Sequence, residues 1–256
     1  MTGGDRERQP KTFGGIVLQR VRDDPWLVVP FIVAGVIVAA VDWLRRVDPL
    51  PTGDPSWMYD TVSVQYNIFP DGVSRTTRTV GAFVHLELPV LAWGVALEAL
   101  AVLAVAVAGW YTITRCLTTD RDSLARYTGW VVVLSALPRF LALEGSVGLL
   151  PLGLVTFVVA AIVVSYLFLL PGFLAAGYRF DRAVRRSGDA SVGIRLPFVV
   201  TAVILGLGAW TLARVPLAGG FLSTAVVGTT QAVLIGGLVD RYETGARSER
   251  EREQTT

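Results

Sequence analysis

Five stretches of this chain are too long and too apolar for a water-facing surface: about 26–44, 88–113, 149–176, 196–213 and 219–239. The last three hold no charged residue, and the first two hold one apiece, Asp42 and Glu98. A membrane-crossing helix needs about 20 apolar residues to cover roughly 30 Å of hydrocarbon. Only 17% of the residues are charged, against about 25% in soluble domains, and those charges collect between the runs. The expectation is an all-α integral membrane protein. A sixth and weaker run at about 128–143 is interrupted by Pro138 and Arg139.

The basic residues decide whether that sixth run crosses. With six spans, 17 of the 23 fall on one side: five in the leader, Arg115, Arg121 and Arg126, five from Arg179 to Arg195, and four from Arg241 onward. The other side receives Arg45, Arg46, Arg75, Arg78 and Arg214. Without 128–143 the later segments invert, and the asymmetry collapses to ten against thirteen. The positive-inside rule then predicts a six-transmembrane-helix bundle in the cell membrane with both termini cytoplasmic. Residues 1–25 form a cytoplasmic leader, 26–240 the membrane domain, and 241–256 a cytoplasmic tail. No small-residue cleavage site follows the first run, which is expected to stay as a span. Within the leader, 12–24 mixes Phe13, Ile16, Val17 and Val21 with Arg20 and Arg22, the composition of an interfacial helix; a plain juxtamembrane linker is the alternative.

The one large polar segment, 45–87, is expected outside. TVSVQYNIF, then Pro70-Asp71-Gly72, then VSRTTRTV reads as two β-prone arms around a turn, a small extracytoplasmic β-hairpin. Residues 30–43 and 197–210 share six identities in fourteen. A duplicated unit would be a transporter-like feature, but spans two to four have no counterparts at that offset.

No known catalytic chemistry is legible. The single lysine, Lys11, forbids a phosphate-binding P-loop, and the single histidine, His85, forbids a two-histidine zinc site. Asp120 and Asp122 are read as solvated loop residues. One cysteine, Cys116, excludes an intrachain disulfide. No enzyme activity, cofactor or metal is expected.

Charged groups within a span cost at least a few kcal/mol and face a partner or a cavity. Counting from Pro89 and Gly145, Glu98 lies roughly 13 Å deep and Arg139 roughly 9 Å deep. The two are expected to form an intramembrane ion pair that locks spans two and three, or else a proton or substrate relay. Asp42, His85, Glu87 and Glu144 are expected as an outer interfacial polar cluster, with His85 and Glu87 as the alternative cation or pH-sensing pair.

Arg22-Asp-Asp-Pro-Trp-Leu27, Pro30 and the Arg195-x-Pro-Phe198 start of a later span resemble features of six-span membrane proteins of halophilic archaea. More distantly the chain is similar to the membrane domains fused to some glycerophosphodiesterases. The resemblance implies the bundle and transfers no functional residue. The expected role is a non-enzymatic scaffold or accessory subunit in the lipid bilayer. Its arginine-rich inner loops would meet anionic lipid or a cytoplasmic protein, and no nucleic acid. The alternative is a small transporter or permease component with a polar path at Glu98 and Arg139.

Overall fold

The computed structural model describes residues 12–53, 67–76, 78, 80–84, 86–117, 123–140, 159 and 161–254. Helices α1 (Phe13–Asp23), α2 (Val29–Val47), α3 (Leu88–Cys116) and α4 (Leu124–Phe140) come first. They are followed by α5 (Ala161–Ala175), α6 (Phe180–Ala190) and α7 (Arg195–Ala213). The last helix, α8, is interrupted: Gly219–Leu222 is α-helical, Ser223–Gly228 is a π-helix, and Thr229–Gln254 is α-helical again. Among the described residues, four segments are long and apolar enough to cross a membrane: Pro25–Val47, Leu88–Cys116, Arg195–Ala213 and Gly219–Ser248. They coincide with four of the runs read from sequence. Part of the 149–176 run and the side chains of 136–140 lie outside the described residues.

Local chemistry sets the helix starts. Thr12 caps α1, its hydroxyl accepting from the Gly15 amide at 3.2 Å, and Arg20 and Arg22 sit in the last turn, where cations oppose the helix dipole. The Asp24 carboxylate accepts from the Trp26 amide at 3.2 Å, and Pro25 occupies the first position of the short 3₁₀ turn that leads into α2.

The Gly219–Ser248 segment is the most buried of the four long segments and forms the centre of the bundle. Glycines let neighbours approach it. A Cβ at Gly228 would meet the Phe31 ring at 2.6 Å, and one at Gly236 would meet Cys116 Cβ at 2.6 Å. Large apolar residues on the outer faces stay exposed, among them Val33, Val36, Leu103, Val107 and Ile204. Trp26 and Trp43 are exposed near opposite ends of the first long segment, where interfacial anchors belong.

The two ends of the bundle differ. One carries α1, which is helical and packs on α8, with Arg20 bound to Asp240 at 2.5 Å. The last turn of α3 is there too, through Arg115 to Asp24 at 2.5 Å. So is the start of α7, because Phe198 stacks on Phe13 at 5.8 Å and on Phe168 at 4.6 Å. Helix α6 brings Arg186 to Glu243 at 3.6 Å. The opposite end holds Arg45, Arg78 and the 67–78 segment. The chain therefore leaves α3 and enters α7 at the same end.

The hairpin expectation is corrected. Residues 67–76 and 78 contain no strand, and 61–66, 77 and 79 lie outside the described residues. Helix side chains, rather than a ladder, hold the backbone here. Val73 N–H donates to Ser223 Oγ at 2.9 Å and Arg75 N–H to Asp42 Oδ2 at 3.0 Å. Gln231 Nε2 donates to the Asn67 carbonyl at 2.8 Å. The segment runs down inside the bundle as irregular backbone instead of packing on the helices as a hairpin.

Candidate functional site

The 67–78 segment forms a polar inset with two levels. At the upper level, α2 presents Asp42 and Arg45 on one face, three residues apart. Ser74 and Thr76 donate their hydroxyls to Asp42 Oδ1 at 2.5 and 2.6 Å. Arg45 Nη2 reaches Glu98 Oε1 at 2.8 Å, and Arg45 Nη1 reaches Asp42 Oδ1 at 3.5 Å. Arg45 is only 4% exposed. Just above, Arg78 donates to both oxygens of Asp48 and to Thr52 Oγ1 at 3.0 Å. A cavity of about 350 Å³ opens beside Arg45, Leu50, Thr52 and Thr76.

The lower level is deep. The Pro70 carbonyl and the Tyr127 hydroxyl both face Gly109 of α3, 3.8 and 2.8 Å from where its Cβ would be. Gly109 lies 21 residues into α3, about 32 Å from its start at 1.5 Å per residue. Phe69 meets the Tyr127 ring edge-on at 5.5 Å. Gly72 lies so close to α8 that a Cβ there would sit 2.3 Å from the Thr224 amide nitrogen. The segment packs where α8 is π-helical, and π-turns recur at functional sites. Asp71 is half-buried, Asn67 is exposed, and the Asn67 amide donates to the Asp71 carboxylate.

No family model, curated protein or solved structure matches this chain.

Of the residues expected from sequence, Asp42 is buried in the upper level instead of lying at an interface, and Glu98 joins it through Arg45. Arg139 lies on α4, with its side chain outside the described residues; His85 and Glu144 also lie outside them. Glu87 is exposed at the start of α3. Sequence reasoning missed Arg45, Ser74, Thr76, Asn67, Asp71, Thr224 and Gln231. A signal existed for some. The 219–239 run holds Ser223, Thr224, Thr229, Thr230 and Gln231 within nine positions, an unusual polar density for a span.

A second cavity, about 630 Å³, lies at the α1 end between α1, α3 and α8. Two of its arginines already pair within it, Arg20 with Asp240 and Arg115 with Asp24. The Arg115 guanidinium holds the Asp24 carboxyl below the usual carboxylate range. Among the described residues, no group of three or more His, Cys, Asp or Glu is placed to hold a metal.

Proposed function

We propose that this chain is a six-span protein of the cell membrane, with both termini cytoplasmic, that acts as a small transporter or permease component. The observation that carries the reading is the irregular 67–76 segment seated on the interrupted α8. Lipid cannot satisfy free backbone groups, so non-helical backbone at membrane depth occurs only where protein buries it or water lines it. Discontinuous helices at that depth are a recurring way to build solute and ion sites. Six crossings agree with α3 ending and α7 starting at one end, since an even number of crossings must intervene. Both termini then share the arginine-rich side, which the positive-inside rule places in the cytoplasm.

A scaffold or accessory subunit is the second reading, and the upper level favours it. Arg45 pairs with both Asp42 and Glu98, which is how a lock between α2, α3 and the inset would look. Liposomes containing the purified full chain separate the two. The transport reading expects Na⁺ or H⁺ gradients to collapse faster than in protein-free liposomes, and Gly72→Ala to abolish the difference. Equal rates with and without folded protein would refute transport and leave the lock. Topology is tested separately by thiol labelling of single cysteines placed at Arg46 and Arg247 in a Cys116→Ser background. Only the first should label in intact cells.

A further inference from the structure

The geometry points to Asp71 as a binding site for a small monovalent cation, H⁺ or Na⁺, inside the bundle. Its surroundings differ from those of the other inset carboxylates. Asp42 and Glu98 share Arg45, and Asp48 holds Arg78. Among the described residues no basic side chain pairs with Asp71, whose partner is the neutral Asn67 amide. A carboxylate at this depth without a cationic partner is costly in its ionised form. Either a proton or a bound cation removes that cost.

The elements packed around the inset supply little else that could neutralise it. Phe31 comes from α2, Gly109 from α3, Tyr127 from α4, and Thr224, Gly228 and Gln231 from α8. Tyr127 is the one titratable group among these, and it is uncharged near neutral pH. One more observation points to a ligand. The Thr224 side chain is 1% exposed, and its hydroxyl oxygen is buried with no hydrogen-bond partner. It lies against the Gly72 backbone, next in sequence to Asp71. A buried hydroxyl without a partner is a cost that a coordinated ion would relieve. The protein does not seal the site, because Asn67 is exposed and Asp71 only half-buried. Sodium favours hard oxygen ligands of the kind these groups provide, as other hard cations do.

The inference rests on the transport reading for its role in a cycle, and its test reads occupancy without flux. The full chain in detergent is unfolded thermally in choline chloride, and again with NaCl at equal ionic strength, from about pH 5 to about pH 9. A sodium site raises the wild-type Tm by about 5–10 °C at a hundredfold excess over Kd. That rise is lost in Asp71→Asn and reduced in Thr224→Val. A proton site shows no sodium effect. Its wild-type pH profile differs from that of Asp71→Asn and survives Thr224→Val. A sodium-independent Tm together with identical pH profiles overturns the site.

Labelling of the wild-type protein keeps the test open if Asp71→Asn does not fold. Dicyclohexylcarbodiimide attacks protonated carboxyls in apolar surroundings, and the adduct at Asp71 is read by mass spectrometry. Labelling slowed by sodium or by alkali supports the site, whereas labelling indifferent to both overturns it. Occupancy without ion flux would remove the transport reading and keep the site; flux without occupancy would do the reverse.

Discussion

Gly72→Ala tests the inset directly. A Cβ at Gly72 would lie 2.3 Å from the Thr224 nitrogen, 2.4 Å from its Cα and 2.4 Å from Oγ1. Normal carbon contacts begin near 3.5 Å, so the gap must open by roughly 1 Å. Two of the opposing atoms are backbone and cannot rotate aside, so the inset or α8 has to move. Overpacking of this kind costs about 1–3 kcal/mol. At about 2–4 °C per kcal/mol for chains of this size, Tm should fall by about 2–12 °C. Gly129→Ala in α4 is the matched control, because nothing lies within 4 Å of its Cβ position. There alanine should be neutral or stabilise by up to about 1 kcal/mol. The assay is thermal unfolding of both variants in one detergent, followed by circular dichroism. If Gly72→Ala melts with the wild type while Gly129→Ala behaves as expected, residues 67–76 do not pack on α8. The transport reading would then lose its support.

Arg45→Met leaves Asp42 and Glu98 without their shared cation and should cost about 3–5 kcal/mol. Adding Glu98→Leu should recover part of it, and a double-mutant cycle by chemical denaturation measures the coupling. Leu217 sits in the α7–α8 turn with φ 62° and is 94% exposed. Leu217→Gly should therefore stabilise by about 1 kcal/mol, read as a higher Tm, since glycine is unstrained there and no packing is lost. Asp24 has its folded-state pKa lowered by Arg115. Its contribution is present above the unfolded value of about 3.9 and is lost as pH falls through the lower folded value. Asp24→Asn should flatten that acid limb of the stability profile.

Arg78→Lys separates fork geometry from charge. The Arg78 side chain is fully buried and spans Asp48 and Thr52. Lysine keeps the charge but cannot hold both oxygens and the hydroxyl in one plane. A measurable loss of Tm is expected, and an unchanged Tm would mean that charge alone matters at this position.

Run lengths and charge placement made the four long apolar helices legible without coordinates, whereas for α1 the mix of apolar and basic residues left helix and linker both open. Those properties depend on residues near each other in the chain, and a helix satisfies its own backbone wherever it is put. The path of 67–76 was not legible in this way. Its alternation and Pro-Asp-Gly turn suit a hairpin, and nothing local distinguishes a turn facing water from one inserted into a bundle. That choice depends on Ser223, Gln231 and Asp42, which lie about 30 to 160 positions away in the chain and supply the partners that a ladder would otherwise have supplied. The same distance hid one partner of Glu98, Arg45. Depth along a span can be counted from sequence, and it placed Glu98 among the buried charges. It does not tell which neighbouring helix turns an arginine toward it. Packing brought Arg45 of α2 to that carboxylate, and it put Asp71 beside the Asn67 amide.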